Sequence, residues 1–169
     1  LSVRKFFDNG IDILAGYAFT DAEDVSPMTS SVAASNFNNL ALNDIVEPAA
    51  ATSNYVVPHR FTFRMNYRQK LLGDNETRFS LYSFYQQGRP QSYVMGSDSL
   101  EGDQAFGRHL LYVPTGLDDP NVVFADSFDY EGFEAWRRRE GSGTGQQQRN
   151  EEFSDWSYLV DLRIEQELP

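Results

Sequence analysis

The sequence contains no cysteine, so disulfides, thiolate metal sites and a cysteine nucleophile are excluded. Long apolar runs are missing too. No window approaches the roughly 18 consecutive apolar residues that a membrane-crossing helix needs. A membrane-crossing β-strand stays open, because it needs only about 9–11 residues and half of them can be polar. Histidine is scarce: His59 and His109 stand far apart, and no His-x-His or His-Glu-x-x-His spacing exists, which argues against a zinc hydrolase. A Gly-x-Ser-x-Gly elbow and a phosphate-cradling glycine loop are also absent. Positive charge is in deficit, with 14 Lys and Arg against 25 Asp and Glu, a net charge of −11. So acidic a chain repels phosphate backbones, and nucleic acid is not an expected partner. The chain opens Leu1-Ser2-Val3-Arg4, with no initiator Met and no signal-peptide pattern, and stops at Pro169 after a strand-like run. Both ends read as cuts in a longer chain.

What is present points to β structure. The 169 residues are 40% apolar and 14% aromatic, with 13 Phe and 9 Tyr. Four segments alternate with a period of two, placing strands near 5–22, 55–69, 77–93 and 155–168. The second is the cleanest: Phe61, Phe63, Met65 and Tyr67 point one way, and Arg60, Thr62, Arg64, Asn66 and Arg68 the other. Wound as a helix, it would line up Arg60, Arg64 and Arg68 and leave no compact apolar stripe. In the fourth, Tyr158, Val160, Leu162 and Ile164 oppose Leu159, Asp161, Arg163 and Glu165. In the third, Tyr82 and Phe84 blur the polar side.

The connections are unequal. A short turn, 70–76, joins the middle segments, whereas 23–54 and 94–154 are long. Loops beyond about 12–15 residues are uncommon in compact soluble domains. Alternating short and long links put the long ones at one end, as in an outer-membrane barrel with short periplasmic turns and long extracellular loops. A soluble sandwich would also explain the alternation. The long loops, the long strands, and aromatics near strand ends (Tyr55, Tyr67, Tyr93, Trp156, Tyr158) favour the barrel. In it Phe61, Phe63, Met65, Tyr67, Tyr158, Val160, Leu162 and Ile164 face lipid. Arg60, Arg64, Asn66, Arg68, Asp161, Arg163 and Glu165 face the lumen. An Arg turned to the bilayer midplane costs about 2–4 kcal/mol, which sets this register. Four strands do not close a barrel, for which about eight is the practical minimum, so the remaining strands must come from elsewhere.

An ordered set of motifs carries a family resemblance: Val57-Pro58-His59-Arg60-Phe61, Gly88-Arg89-Pro90-Gln91-Ser92-Tyr93, Leu111-Tyr112-Val113-Pro114, and Asp161-Leu162-Arg163-Ile164-Glu165-Gln166. Upstream, Ala18-Phe19-Thr20-Asp21-Ala22-Glu23-Asp24 and Ser30-Ser31-Val32-Ala33 belong to it as well. Over nearly its whole length the chain resembles the C-terminal part of the β-barrel of a TonB-dependent outer-membrane receptor of the Oar-like kind. The resemblance implies an all-β, antiparallel transmembrane barrel of about 22 strands, to which this chain supplies about four. It also implies an N-terminal plug, nutrient import energised by the TonB system, and location in the bacterial outer membrane. The expected partners are outer-membrane lipid, the rest of the barrel and plug, the TonB system through the missing N-terminal part, and surface proteins. Neither catalysis nor a cofactor is expected. Where members carry an Asn-Asp pair before the Leu-Tyr-Val-Pro-like stretch, this chain has Arg108-His109-Leu110, and no role of that pair is carried over.

Other features read two ways. The charge array of Arg60, Arg64, Arg68 and Arg78 against Asp161, Arg163 and Glu165 would line a substrate path or hold a plug, or simply form a solvated interior. Neighbouring strands are about 4.8 Å apart, so Arg64 and Asp161, on strands two apart, are within reach of each other through long side chains. Asp98, Glu101 and Asp103 are weak calcium candidates with oxygen ligands at short spacing but no EF-hand pattern. Aromatics between 93 and 155 would bind a partner or pack the loop upon itself. The stretch Gly141–Gln148 reads as a flexible loop tip.

Overall fold

The computed structural model describes residues 1–44, 46–96 and 108–168. Strands β1 (Ser2–Phe6), β2 (Ile11–Phe19) and β3 (Glu23–Asp24) precede helix α1 (Ala33–Asn38), followed by β4 (Ala51–Thr52), β5 (His59–Leu72), β6 (Asn75–Gln86), β7 (Pro90–Gln91) and β8 (Tyr112–Val113). Helix α2 (Tyr130–Glu140), β9 (Gly145–Gln146), β10 (Glu152–Phe153) and β11 (Ser157–Gln166) complete the chain. The structure is mostly antiparallel sheet with few helices, an all-β chain. No helix among the described residues is long and apolar enough to cross a membrane, which says nothing about strands.

The chain divides into two units. A sheet unit comprises Leu1–Asp21, Val56–Arg89 and Ser154–Pro169; a loop unit comprises Ala22–Tyr55 and Pro90–Phe153. The sheet unit is a five-stranded antiparallel meander in the order β1-β2-β5-β6-β11. It has five strands, not four. The segment near 5–22 is interrupted at Phe7–Gly10, where Phe7 N–H donates to Ile11 O (2.8 Å) and Gly10 N–H to Phe7 O (3.2 Å). Gly10 has φ +85°, and a Cβ there would overlap the carbonyl oxygen of Arg68, so only glycine fits this hairpin. Other bounds move by a few residues. β5 runs on to Leu72, β6 ends at Gln86, and the turn between them shrinks to Gly73-Asp74. Both long connections leave from the same end of the sheet, between Phe19 and His59 and between Gln86 and Ser157.

The register sorts the side chains as the alternation predicts. Ile13, Met65, Leu81 and Leu162 form one cross-strand row; Ala15, Phe63, Ser83 and Val160 form the next. On the other face Leu14, Arg64, Tyr82 and Asp161 form a row, and Arg68, Arg78 and Glu165 another. Within this unit, among the described residues, the sheet is a single layer. Its apolar face stays uncovered, with Val160 63% and Leu162 66% exposed. The edge strands β1 and β11 have one neighbour each, so the sheet is open and no closed barrel is formed.

The loop unit keeps a small core of its own. Leu40, Leu42, Leu110 and Val113 are buried, and three pairs of two-residue strands (β3-β4, β7-β10 and β8-β9) tie its segments together. The glycine-rich stretch is not a free tip. Gly141 ends α2 in the left-handed region, Gly145-Gln146 pairs with Tyr112-Val113, and Ser142 and Gln147 are buried. The Gln146 side-chain amide donates to Leu110 O and Asn43 Oδ1, both at 2.9 Å. Residues that look like a solvated linker instead satisfy buried carbonyls, and that is why the stretch is folded in.

Candidate functional site

On the polar face of the sheet the seven lumen-facing candidates lie together. Arg4 donates twice to Asp12, at 2.9 and 3.2 Å, and Arg64 comes within 3.9 Å of the same carboxylate. Arg64 and Asp161 share a row but stand on either side of Tyr82, and Arg64 pairs with Asp12 instead. Glu165 is shared by Arg163 (2.7 Å) and Arg78 (3.7 Å). Arg68 stands opposite Arg78, and Asn66 between Asp12 and Ser80. Tyr82 and Phe84 do belong to this face. The Arg60 guanidinium lies 5.1 Å over the Phe84 ring, and that cation–π contact gives an aromatic a place among charges.

The apolar face holds all eight lipid-facing candidates in register. Near the long-loop end it carries a ring cluster. Trp156 stacks 4.6 Å from Tyr85, 6.2 Å from His59 and 6.4 Å from Phe61, and the Tyr17 hydroxyl and His59 Nδ1 share a hydrogen bond of 2.8 Å. Gly88 permits the chain return beside it, since a Cβ there would overlap Ser154 and Asp155 carbonyl oxygens. Near the short-turn end Tyr67 stacks on Phe79 at 6.1 Å. His59 and Tyr67 are eight residues apart on β5, about 27 Å along the strand. Of the expected girdle residues, Tyr55 and Tyr93 belong to the loop unit instead. Lys5 is the charged exception on this face; its ammonium reaches 4.8 Å over the Phe7 ring at the turn, as a snorkelling lysine does.

The loop unit is organised by polar side chains with no obvious sequence motif. Arg149, nine-tenths buried, donates from Nη2 to the Asp24 carboxylate at 3.0 Å and to the carbonyls of Asp24 and Ala51. Asn150, in the left-handed region at φ +58°, ties Ser92, Thr52 O and Asn54 together. Asp119 is 4% exposed and accepts from Thr115 N–H (2.8 Å), Asn121 N–H (2.9 Å), Thr115 Oγ1 (3.1 Å) and Tyr112 OH (3.1 Å). The two backbone N–H donors foremost, then these hydroxyls, hold its carboxyl down to about 2. The one sequence signal for this cage was Asp119-Pro120, a turn-initiating pair.

Helix α2 begins at Asp129, whose carboxylate accepts from Gly132 N–H at 2.9 Å. Its Phe133 and Trp136 continue a ladder of rings from Phe124 and Phe128 to Tyr93. The long-loop aromatics thus pack largely upon one another. Burial first, and then Glu140, pushes the Tyr93 hydroxyl up, and burial pushes Glu152 up. In the run Arg137-Arg138-Arg139 all three are engaged: Arg137 donates to both Glu134 oxygens at 2.8 Å and holds that carboxyl down, Arg138 donates to Glu134 O at 3.2 Å, and Arg139 to Glu140 Oε1 at 2.8 Å.

Clefts open in this unit, among them a polar one lined by Asn54, Pro90, Ser92 and Asn150. Another, of about 240 Å³, is lined by Val25, Leu42, Asp44, Pro48, Leu110 and Gln146. A further one, about 200 Å³, is apolar, lined by Leu111, Pro114, Val122, Val123, Phe124 and Phe128. Among the described residues no three His, Cys, Asp or Glu side chains gather to hold a metal. The calcium candidates Asp98, Glu101 and Asp103 lie outside the described residues. No family model, curated protein or solved structure matches this chain. What the molecule offers is two chemically distinct faces on one sheet, and a folded, acidic loop unit with several clefts.

Proposed function

We propose that this chain is a portion of the transmembrane β-barrel of a TonB-dependent outer-membrane receptor, Oar-like, that binds and imports a nutrient at the cell surface. One observation carries the reading: a single-layer sheet whose apolar face has no cover in its own unit and whose opposite face is a charge array. In water such a face would demand a second layer; in a bilayer, lipid supplies it. The open edges β1 and β11 then pair with further strands of the same barrel, since an unpaired edge in hydrocarbon costs several kcal/mol per group. The long connections are extracellular, the short turns periplasmic, and the polar face lines the lumen beside the plug. The function is selective passage, without catalysis or a cofactor.

Fractionation of cells carrying the native protein tests this. It should sediment with the outer membrane, resist alkaline washing and require detergent for extraction; recovery in the aqueous phase would reject the membrane assignment and leave a secreted sandwich. A second reading, a barrel serving as a platform for surface partners, is favoured by the folded loop unit with its apolar cleft. Growth of a knockout across nutrient sources separates the two: impaired uptake favours the importer, unchanged uptake the platform.

A further inference from the structure

We infer that the apolar cleft of the loop unit is the docking site for a cationic peptide segment that inserts one large apolar side chain. The cleft is lined by Leu111, Pro114, Val122, Val123, Phe124 and Phe128. Val123 is 99% exposed at its rim, and Leu117 and Phe128 are exposed beside it in sequence. A valine held wholly in water, next to an apolar hollow of about 200 Å³, marks a surface shaped for contact. A hollow of that size takes one aromatic or branched aliphatic residue.

Charge names the rest of the partner. Residues 110–136 hold six acids and no Lys or Arg. Three of them have internal work: Asp119 sits in its cage, Asp129 caps α2, and Glu134 pairs with Arg137. Asp118, Asp126 and Glu131 remain, and among the described residues they make no hydrogen bond or ion pair. Free carboxylates in the segment that forms an apolar hollow select an apolar anchor flanked by Lys or Arg and repel an acidic partner. Steering by this field strengthens encounter at low salt and fades as salt rises. The inference adds a ligand class to the receptor reading and rests on that reading only for placing the cleft at the cell surface.

The test uses the full protein extracted in detergent and fluorescent peptides: one Lys-rich with a central Trp, one with Gly for Trp, and one with Glu for each Lys. Anisotropy should report saturable binding of the first, weakened about tenfold or more by either change and by high salt. Val123→Lys, which alters a side chain packed against nothing, should cause a loss of similar size while the circular dichroism stays unchanged. Equal binding of the acidic peptide, no binding of any peptide, or indifference to Val123→Lys would overturn the inference. So would a concentration-dependent oligomer that Val123→Lys dissolves and the Lys-rich peptide does not displace, because the occupant would then be a second copy. Membrane fractionation of the same preparation reads the barrel separately. Peptide binding by a protein found in the aqueous phase would sink the receptor and keep the cleft.

Discussion

The two units divide the charge very differently. Sixteen of the 25 acids and five of the 14 bases lie in the loop unit, which leaves nine of each in the sheet unit. The net −11 of the chain is therefore carried entirely by the loop unit, and the sheet is neutral. In the sheet, the strand charges other than Lys5 sit on one face, where Arg4, Asp12 and Arg64 find partners. In the loop unit acids outnumber partners, and the few cations are spent on structure, as Arg149 and Arg137 are. The sheet is held by its backbone ladder, the loop unit by a small core and by polar side chains that bond buried backbone. One lesson is that these two parts should fail under different insults.

The largest expected difference separates the two faces at adjacent positions. Val160→Arg turns a cation to the apolar side, in a row between the two ring clusters; Leu159→Arg turns it to the charged side, next before Asp161 in that face's alternation. Refolded into lipid vesicles, the first should lose about 2–4 kcal/mol and the second less than about 1 kcal/mol. Equal losses in denaturant titration would break the contrast between the faces.

The next effect belongs to the loop unit alone. Arg149→Met removes a buried cation that bonds Asp24 and two carbonyls, and should cost about 2–3 kcal/mol. Hydrogen exchange should rise across 22–55 and 90–153 and stay unchanged in the paired strands β5 and β6. Spread of the loss into the sheet would show the two units to be one cooperative body.

Acid should separate them further. The Asp119 carboxyl is held at about 2, below the ordinary Asp value of about 3.9. Its contribution is fully present above the unfolded value and is lost as pH falls from about 4 to about 2. Fluorescence of Trp136 against pH should report an opening in that window, which Asp119→Asn shifts to higher pH by removing the carboxylate. A curve that Asp119→Asn leaves unmoved would take the cage out of the loop unit's stability. The smallest effect is that of salt. Added sodium chloride should stabilise the loop unit by a few tenths of a kcal/mol, by screening its like charges, and leave the neutral sheet unchanged.

The legible part of the sequence was the sheet. Period-two alternation grouped the residues on the two faces of the sheet as the register has them, because the pleat leaves a strand no other choice. One strand over 5–22 leaves out the hairpin between β1 and β2, although Asn9-Gly10 is a strong hairpin signal and Gly10 takes the positive φ that such a turn demands. Tyr82 and Phe84 looked like noise because a cation–π contact depends on a neighbour across the sheet. The loop unit was hidden for a related reason. Strands of two residues have no period, and a polar run such as Gly141–Gln148 reads as solvated until its amides are seen bonding Leu110 and Gly143 carbonyls. Arg149 and Asn150 gave no sign of their importance, since their partners lie 58 to 125 residues away.

Sequence alone determined which side chains share a face, where the long connections leave, and that the excess negative charge lies between the long strands. Those are consequences of a two-residue repeat and of composition, both local. Tertiary structure decided which strands are neighbours, that Asp12 rather than Asp161 receives Arg64, and that the long connections fold around Arg149, Asn150 and Asp119. These depend on register and on hydrogen bonds between residues distant in the chain, and no local pattern encodes a partner that only folding brings near.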